Sequence, residues 1–138
     1  MSNIINVTEK AEVSGGFKTE EVVAYSCDAY EVINVVLPPA TVKKEIVLQG
    51  VGSEMSFLQL SVPSGIYGAA PYVTYYLLTN SGLQIDLTNM HQYVGRGAIQ
   101  ALMEGVSPSK AEITKLYLSN VHTVAVNVQI IVGKDVTP

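Results

Sequence analysis

Charge is the scarcest commodity in this sequence. Only 14% of its 138 residues are Asp, Glu, Lys or Arg, where a soluble domain ordinarily carries about 25%. A free monomer keeps its surface wet and self-repelling with those residues, so the deficit points to a chain whose surface is covered by other subunits. The charge present sums to −4, with a pI near 5.0. That argues against a nucleic-acid binder, whose affinity comes mostly from neutralising phosphates. The densest basic stretch, Val42–Glu45 (VKKE), brings its own carboxylate and reads as a solvated strand face.

Other absences narrow the field further. Cys27 is the single cysteine, so no intrachain disulfide forms and folding in a reducing cytoplasm is expected. A lone thiol without a local motif reads as inert packing. No apolar run approaches the roughly 18 residues that span a bilayer, so no membrane contact is expected. The opening MSNIINVTEK lacks a basic segment followed by an apolar core, and no secretory signal is expected.

Catalytic chemistry is missing as well. The two histidines, His91 and His122, show no metal-ligand spacing; His122 falls in an expected turn with a solvated ring, and His91 reads as structural. Glu20 and Glu21 are adjacent in a strand-like run, point to opposite faces and do not share a proton. Asp28 and Glu31 flank Tyr30 without a calcium-loop pattern. YVGRGA and GVGSE lack the Lys-Ser/Thr ending of a phosphate loop, and Ser64 in VPSGIYG lacks the glycines of a nucleophile elbow. No catalytic, cofactor-binding or metal-ligating residue is assigned, and the expectation is a protein without enzymatic activity.

What is present is alternation with period two. In TVAVNVQIIV, Val124, Val126, Val128, Ile130 and Val132 share one face, with Ala125, Asn127, Gln129 and Ile131 on the other. LQIDLT sets Leu83, Ile85 and Leu87 together, and MSFLQLSV sets Leu58, Leu60 and Val62 together. EEVVAYS, YEVINVVL, TVKKEIVLQ and YVTYYLLT are further strand candidates. Turn chemistry separates them at Gly15-Gly16, Pro38-Pro39, Gly50–Ser53, Val62–Gly65 and Asn80–Gly82. A parallel sheet needs crossover helices of about ten residues or more, and these are lacking. The pattern predicts an all-β chain: one antiparallel β-sandwich domain over residues 1–138, of jelly-roll or Greek-key type. Residues 1–16 form either an arm that adds a strand to a neighbouring sheet edge or the domain's own first strand.

Two local expectations follow. In Asn89–Glu104, Met90, Val94, Ala98 and Leu102 recur every fourth residue, with Ile99 and Met103 on the neighbouring track. Gly95 and Gly97 are costly inside a helix, so a short helix near 98–104 is expected, preceded by a loop. Thr88 or Asn89 would cap its start, and Gly105 with Pro108 would stop it. The chain is expected to end in an oily hairpin, Ile113 to Gly133, whose turn starts when Asn120 bonds its own downstream backbone.

The tyrosines supply the candidate functional residues. PYVTYYLLT places Tyr72, Thr74 and Tyr76 on one face and Val73, Tyr75 and Leu77 on the other, so both faces are apolar or amphipathic. Tyr brings large area, few rotors and a polar tip to an interface. Tyr72, Tyr75, Tyr76 and Tyr117 are the candidate subunit-interface residues; core packing and a sugar-stacking platform are the competing roles.

AEITKLYLSNVHTVAVNVQIIVG resembles the C-terminal hairpin of small β-sandwich virion proteins of tailed bacteriophages. Ile113, Leu116, Leu118 and Asn120 carry the first part and Val124 to Val132 the return strand, about the last quarter of the chain. The resemblance implies a structural subunit of capsid, neck or tail, assembled in the host cytoplasm: a decoration or cement protein, or the base of a fibre. Its implied partners are copies of itself, a trimer being favoured, and a capsid or tail protein. No cofactor is implied. The rival reading is a carbohydrate- or receptor-binding module with the tyrosines as stacking platform.

Overall fold

Alternation along the chain becomes two-sided burial in space. The protein is seen here as a computed structural model that describes residues 3–12, 14–16, 18–49, 53–63, 72–80, 83–106 and 111–136. Its elements in chain order are β1 (Asn3–Glu12), β2 (Lys18–Cys27), β3 (Ala29–Leu37), β4 (Thr41–Val47), β5 (Ser53–Ser61), β6 (Thr74–Leu77), β7 (Ile85–Asp86), β8 (His91–Val94), α1 (Arg96–Val106), β9 (Lys115–Asn120) and β10 (Val126–Val136). In β10, Val126, Val128, Ile130 and Val132 are buried while Asn127 and Gln129 are exposed. β-Branched side chains on one face pack well on a pleated surface, and the amides on the other face keep water.

The strands pair as if one long hairpin had been wound around itself. β3 pairs with β10, β4 with β9, β5 with β8 and β6 with β7, all antiparallel. Pairs β10–β5 and β9–β6 then knit the winding into two four-stranded sheets, ordered β3-β10-β5-β8 and β4-β9-β6-β7. This is the double-sheet jelly roll. Its core is filled by Leu37, Leu58, Leu60, Ile130 and Val132 from the first sheet and Ile46, Val73, Tyr75, Leu77, Leu116 and Leu118 from the second.

The winding corrects the final hairpin. β9 and β10 belong to different sheets and do not pair. Val121–Ala125 is a corner, not a hairpin turn; five residues reach at most about 17 Å, enough to cross the roughly 10 Å between packed sheets. Leu116 and Leu118 therefore face β10 across the core. Asn120 Oδ1 does accept from the His122 N–H at 2.9 Å, which starts the local turn. Its Nδ2 donates to the carbonyls of Leu37 (3.0 Å), Pro38 (3.3 Å) and Val124 (3.1 Å). The fully buried side chain thus stitches this corner to the β3–β4 corner, where Thr41 also caps Pro38 through its N–H and hydroxyl. His122 is half-buried, its Nε2 enclosed, not the solvated ring expected.

The helix also differs from expectation. Residues 91–94 are taken by β8, so α1 starts at Arg96, after Gly95 at φ 90°, and Thr88 and Asn89 cap nothing there. Gly97 and Gly105 lie inside the helix, which runs on to Val106. The track that packs inward is Ile99 and Met103, with Ala98 exposed. Val124 and Leu83, placed on core faces by alternation, lie outside the strands and are exposed. Gly50, Ser64, Gly65, Ser81, Gly82 and Pro108 lie outside the described residues.

Ahead of the jelly roll stands a separate two-stranded sheet, β1 with β2, in continuous register from Asn3↔Cys27 to Glu12↔Lys18. Residues 3–12 thus form the first strand of a ribbon. Its root seats on the outer face of β10: a Cβ on Gly133 would stand 2.9 Å from Ile5 Cδ1, 3.1 Å from Phe57 Cβ and 3.5 Å from Cys27 Sγ. The seat exists because β5 bulges, Gly133 facing Phe57 and Lys134 facing Met55, which skips Ser56. Met55 and Leu58 then both enter the core, while Phe57 is buried outside it.

Candidate functional site

The four tyrosines separate. Tyr75 is fully buried in the core and offers no surface to a neighbouring chain or a sugar, which corrects its place among the interface candidates; Val73, just ahead of β6, and Leu77 within it are buried in the same core and carry it inside. Tyr72 is half-buried just ahead of β6. Tyr76 and Tyr117 stand opposite each other on β6 and β9, half-buried on the outer face of their sheet. The Tyr76 hydroxyl donates to Gln84 Oε1 at 2.9 Å and that of Tyr117 to Glu45 Oε1 at 3.3 Å. Lys43 Nζ stands 5.2 Å from the Tyr76 ring centre and Lys115 Nζ 5.8 Å from that of Tyr117. Lys115 also pairs with Glu45 at 3.1 Å; the Tyr117 hydroxyl, and then that carboxylate, raise its pKa above the usual lysine value. This face carries amphipathic rings and charges of both signs.

The opposite sheet presents a different exterior. Residues opposed across its strands form rows: Tyr30, Gly133, Phe57 and Val94; Val32, Ile131, Gln59 and Gln92; Asn34, Gln129 and Ser61; Val36 and Asn127. No Lys, Arg, Asp or Glu stands in these four rows; the next row on the same face, at the ribbon end, sets Asp135 opposite Glu54. Tyr30, Val32 and Val36 are 55%, 45% and 60% exposed. Gln92 donates to Gln59 at 2.7 Å and Gln129 to Asn34 at 3.4 Å, so much of the polarity is amide paired with amide. Beside the ribbon root, Ile4, Ile5, Tyr30, Val32 and Ile131 line a pocket of about 410 Å³.

Sequence reasoning missed a polar cluster between the sheets. The Tyr75 hydroxyl reaches across to His91 Nδ1 at 2.6 Å and the Tyr93 hydroxyl at 2.7 Å. Burial, then the Tyr93 hydrogen bond, pushes the Tyr75 pKa far up, and burial lowers that of His91. Both shifts favour neutral forms, so the cluster closes one end of the core without an ion. The available signal was His91 and Tyr93 two residues apart, masked by the helical step of the same segment.

A second missed feature joins Arg96 to Glu112 in a two-pronged ion pair. Arg96 also donates to the Met55 carbonyl at 2.9 Å, and Glu112 accepts from the Met55 N–H at 3.2 Å. These contacts tie the start of α1 to the β5 bulge and to the approach to β9. The pairing raises the Arg96 pKa and lowers that of Glu112.

Cys27, the last residue of β2, is buried at the ribbon root, where burial and then the Asp135 charge raise its thiol pKa, disfavouring the reactive thiolate. Among the described residues no group of three His, Cys, Asp or Glu side chains could hold a metal ion, and no helix is long and apolar enough to cross a membrane. Asp28 uses its N–H on Asp135 Oδ1 at 3.0 Å. Comparison with protein-family models, curated proteins and solved structures finds no match to this chain.

Proposed function

We propose that this chain is a non-enzymatic structural subunit of a bacteriophage particle, a decoration or cement protein that assembles with copies of itself and binds a capsid or tail lattice. The observation that carries the reading is the outer face of the β3-β10-β5-β8 sheet, whose four successive rows from Tyr30–Val94 to Val36–Asn127 hold no charged residue. Interface cores are depleted in charge and enriched in aromatic residues, and this face places the compositional deficit on one broad surface. Jelly rolls occur among viral capsid domains, yet also among lectins and cupins, so the fold alone does not decide. The mechanism is cementing: apolar strand faces are buried at subunit junctions while an open sheet edge accepts a neighbouring strand.

Two measurements test it. Size-exclusion chromatography with light scattering is expected to give a stable oligomer at tens of micromolar, and mass spectrometry of purified phage particles to find the chain as a stoichiometric component. A monomer that is absent from particles overturns the proposal.

A second reading draws on Tyr76 and Tyr117. Two neighbouring half-exposed rings, flanked by Gln84, Glu45 and two lysines, have the makings of a sugar-stacking platform. It requires binding on a glycan array that Tyr76→Ala and Tyr117→Ala abolish without changing the oligomer. An array without binding dismisses it.

A further inference from the structure

A sheet edge left open is a template for another chain, and proteins blunt edges with charge, bulges or brevity. Three of the four edges of this jelly roll are managed in those ways. β4 carries a register break between Thr41 and Lys44, with Lys43 at φ 50° and exposed Lys44 and Glu45. β7 is two residues long. β8 is four residues long and runs into α1, which packs against it and β5.

β3 is the least protected of the four. It is nine residues long, pairs with β10 without a register break from Ala29 to Leu37, and holds no Pro or Lys. Its one charged residue, Glu31, has Lys134 of the same chain 3.9 Å away. Among the described residues no strand of the chain lies on its other side.

Resting on the assembling-subunit reading, we propose that β3 pairs antiparallel with β3 of a second copy across a two-fold axis, joining two four-stranded sheets into one of eight. A two-fold contact must be self-complementary, residue i meeting j as j meets i. Centred on Ile33, the pairing sets Glu31 against Val35, Tyr30 against Val36 and Val32 against Asn34, so the only charge never meets its own copy. The same operation on β4 would bring Lys43, Lys44 and Glu45 together around a bulge.

The size fits as well. Nine residues extend about 30 Å, and two layers about 10 Å apart with roughly 5 Å of side chain on either side make an edge about 20 Å thick. The junction then covers roughly 600 Å² per copy, at the lower end of specific interfaces. The pocket of Ile4, Ile5, Tyr30, Val32 and Ile131 borders this edge and continues its apolar surface. Such a contact builds even-numbered assemblies instead of the trimer that the phage resemblance implies.

The test compares the full chain with Val32→Lys/Val36→Lys and, as a control on the other sheet, Val47→Lys, all three positions being exposed in the protomer. Light scattering is expected to give twice the 14.8 kDa chain mass, or a higher even multiple, for the unaltered protein and Val47→Lys. The double variant is expected to give the single-chain mass with an unchanged circular-dichroism spectrum. Hydrogen exchange on the unaltered chain provides a readout free of any folding defect: alternate β3 amides should slow as concentration rises through assembly. An even-numbered assembly that survives the double variant, or β3 amides insensitive to concentration, overturns the pairing. A trimer overturns the pairing while leaving the assembling-subunit reading in place, and a monomer overturns both.

Discussion

Replacing Asn120 is the sharpest probe of the jelly-roll corners. Its amide nitrogen serves three carbonyls on two corners and its oxygen accepts the His122 N–H, all from a fully buried side chain. A net hydrogen bond is worth about 0.5–1.5 kcal/mol. Pro38 and Val124 sit at exposed corners, where water replaces part of what is lost, so Asn120→Ala should cost about 3 kcal/mol, a large share of the 5–15 kcal/mol of a typical domain. At this chain length that corresponds to roughly 10 °C in Tm.

Asn120→Asp separates donor from acceptor. It keeps the oxygen facing His122 but turns a carboxylate towards three carbonyls, which raises its folded pKa above the unfolded value near 3.9. The folded state then binds more protons than the unfolded one. The deficit is therefore largest at neutral pH and shrinks as pH falls through the folded pKa. Urea and thermal melts at neutral and acid pH read this directly. An Asp variant that melts within about 2 °C of the unaltered chain at neutral pH refutes the view that the Nδ2 donor bonds hold the corners.

Three further outcomes are expected. His91 has a pKa lowered by burial, so the unfolded chain binds its proton first; the stability it confers is complete above about pH 6.5 and declines as pH falls through the folded pKa. His91→Gln should flatten that part of the pH–Tm curve, and parallel curves would count against it. Gly133→Ala places a methyl against Ile5 and Phe57. The Ile5 tip can swing aside but Phe57 Cβ is anchored to backbone, so the strain falls on the β10–β5 pairing. Amides around Phe57 and Gly133 should exchange faster while those of β6 and β9 do not, and unaltered protection there would refute the close approach. Arg96→Met strands the Glu112 carboxylate beside Met55 and should cost about 1–3 kcal/mol, most of it restored by Glu112→Gln; a second loss of similar size would show that the two side chains act separately.

The elements were more legible than their partners. β10 could be read residue by residue because one face is almost purely Val and Ile while the other carries Asn127 and Gln129. β8 could not: four residues give only two alternations, and Met90, Val94, Ala98 and Leu102 imitate a helix. The error about the last hairpin has a different origin. Alternation fixes which side of a strand is buried but not which strand lies beside it, and Asn120 gives the same local turn whether the chain doubles back or crosses to the other sheet. Arg96 and Glu112 are 16 residues apart in sequence, so their pairing becomes visible only once β8, α1 and β9 are placed. The scarcity of charge was plain from composition, but its extension over four successive rows of one sheet exterior required the register.

That segregation bears on how tightly copies can hold one another. Fully burying Tyr30, Val32 and Val36 on both copies would remove roughly 500 Å² from water, about 12 kcal/mol at the usual coefficient. Association costs about 4–15 kcal/mol in lost freedom before any contact is counted, so side-chain burial alone lies close to balance. The backbone bonds of a strand pair, each worth about 0.5–1.5 kcal/mol net, then decide the outcome. A flat apolar face without a matching edge would give weak, unregistered sticking, whereas an open edge fixes both register and orientation. On a lattice, neighbouring subunits raise the effective concentration further, so a modest pair contact suffices. Lysines at 32 and 36 attack both contributions together, since their long charged side chains resist burial in the face and disfavour pairing along the edge.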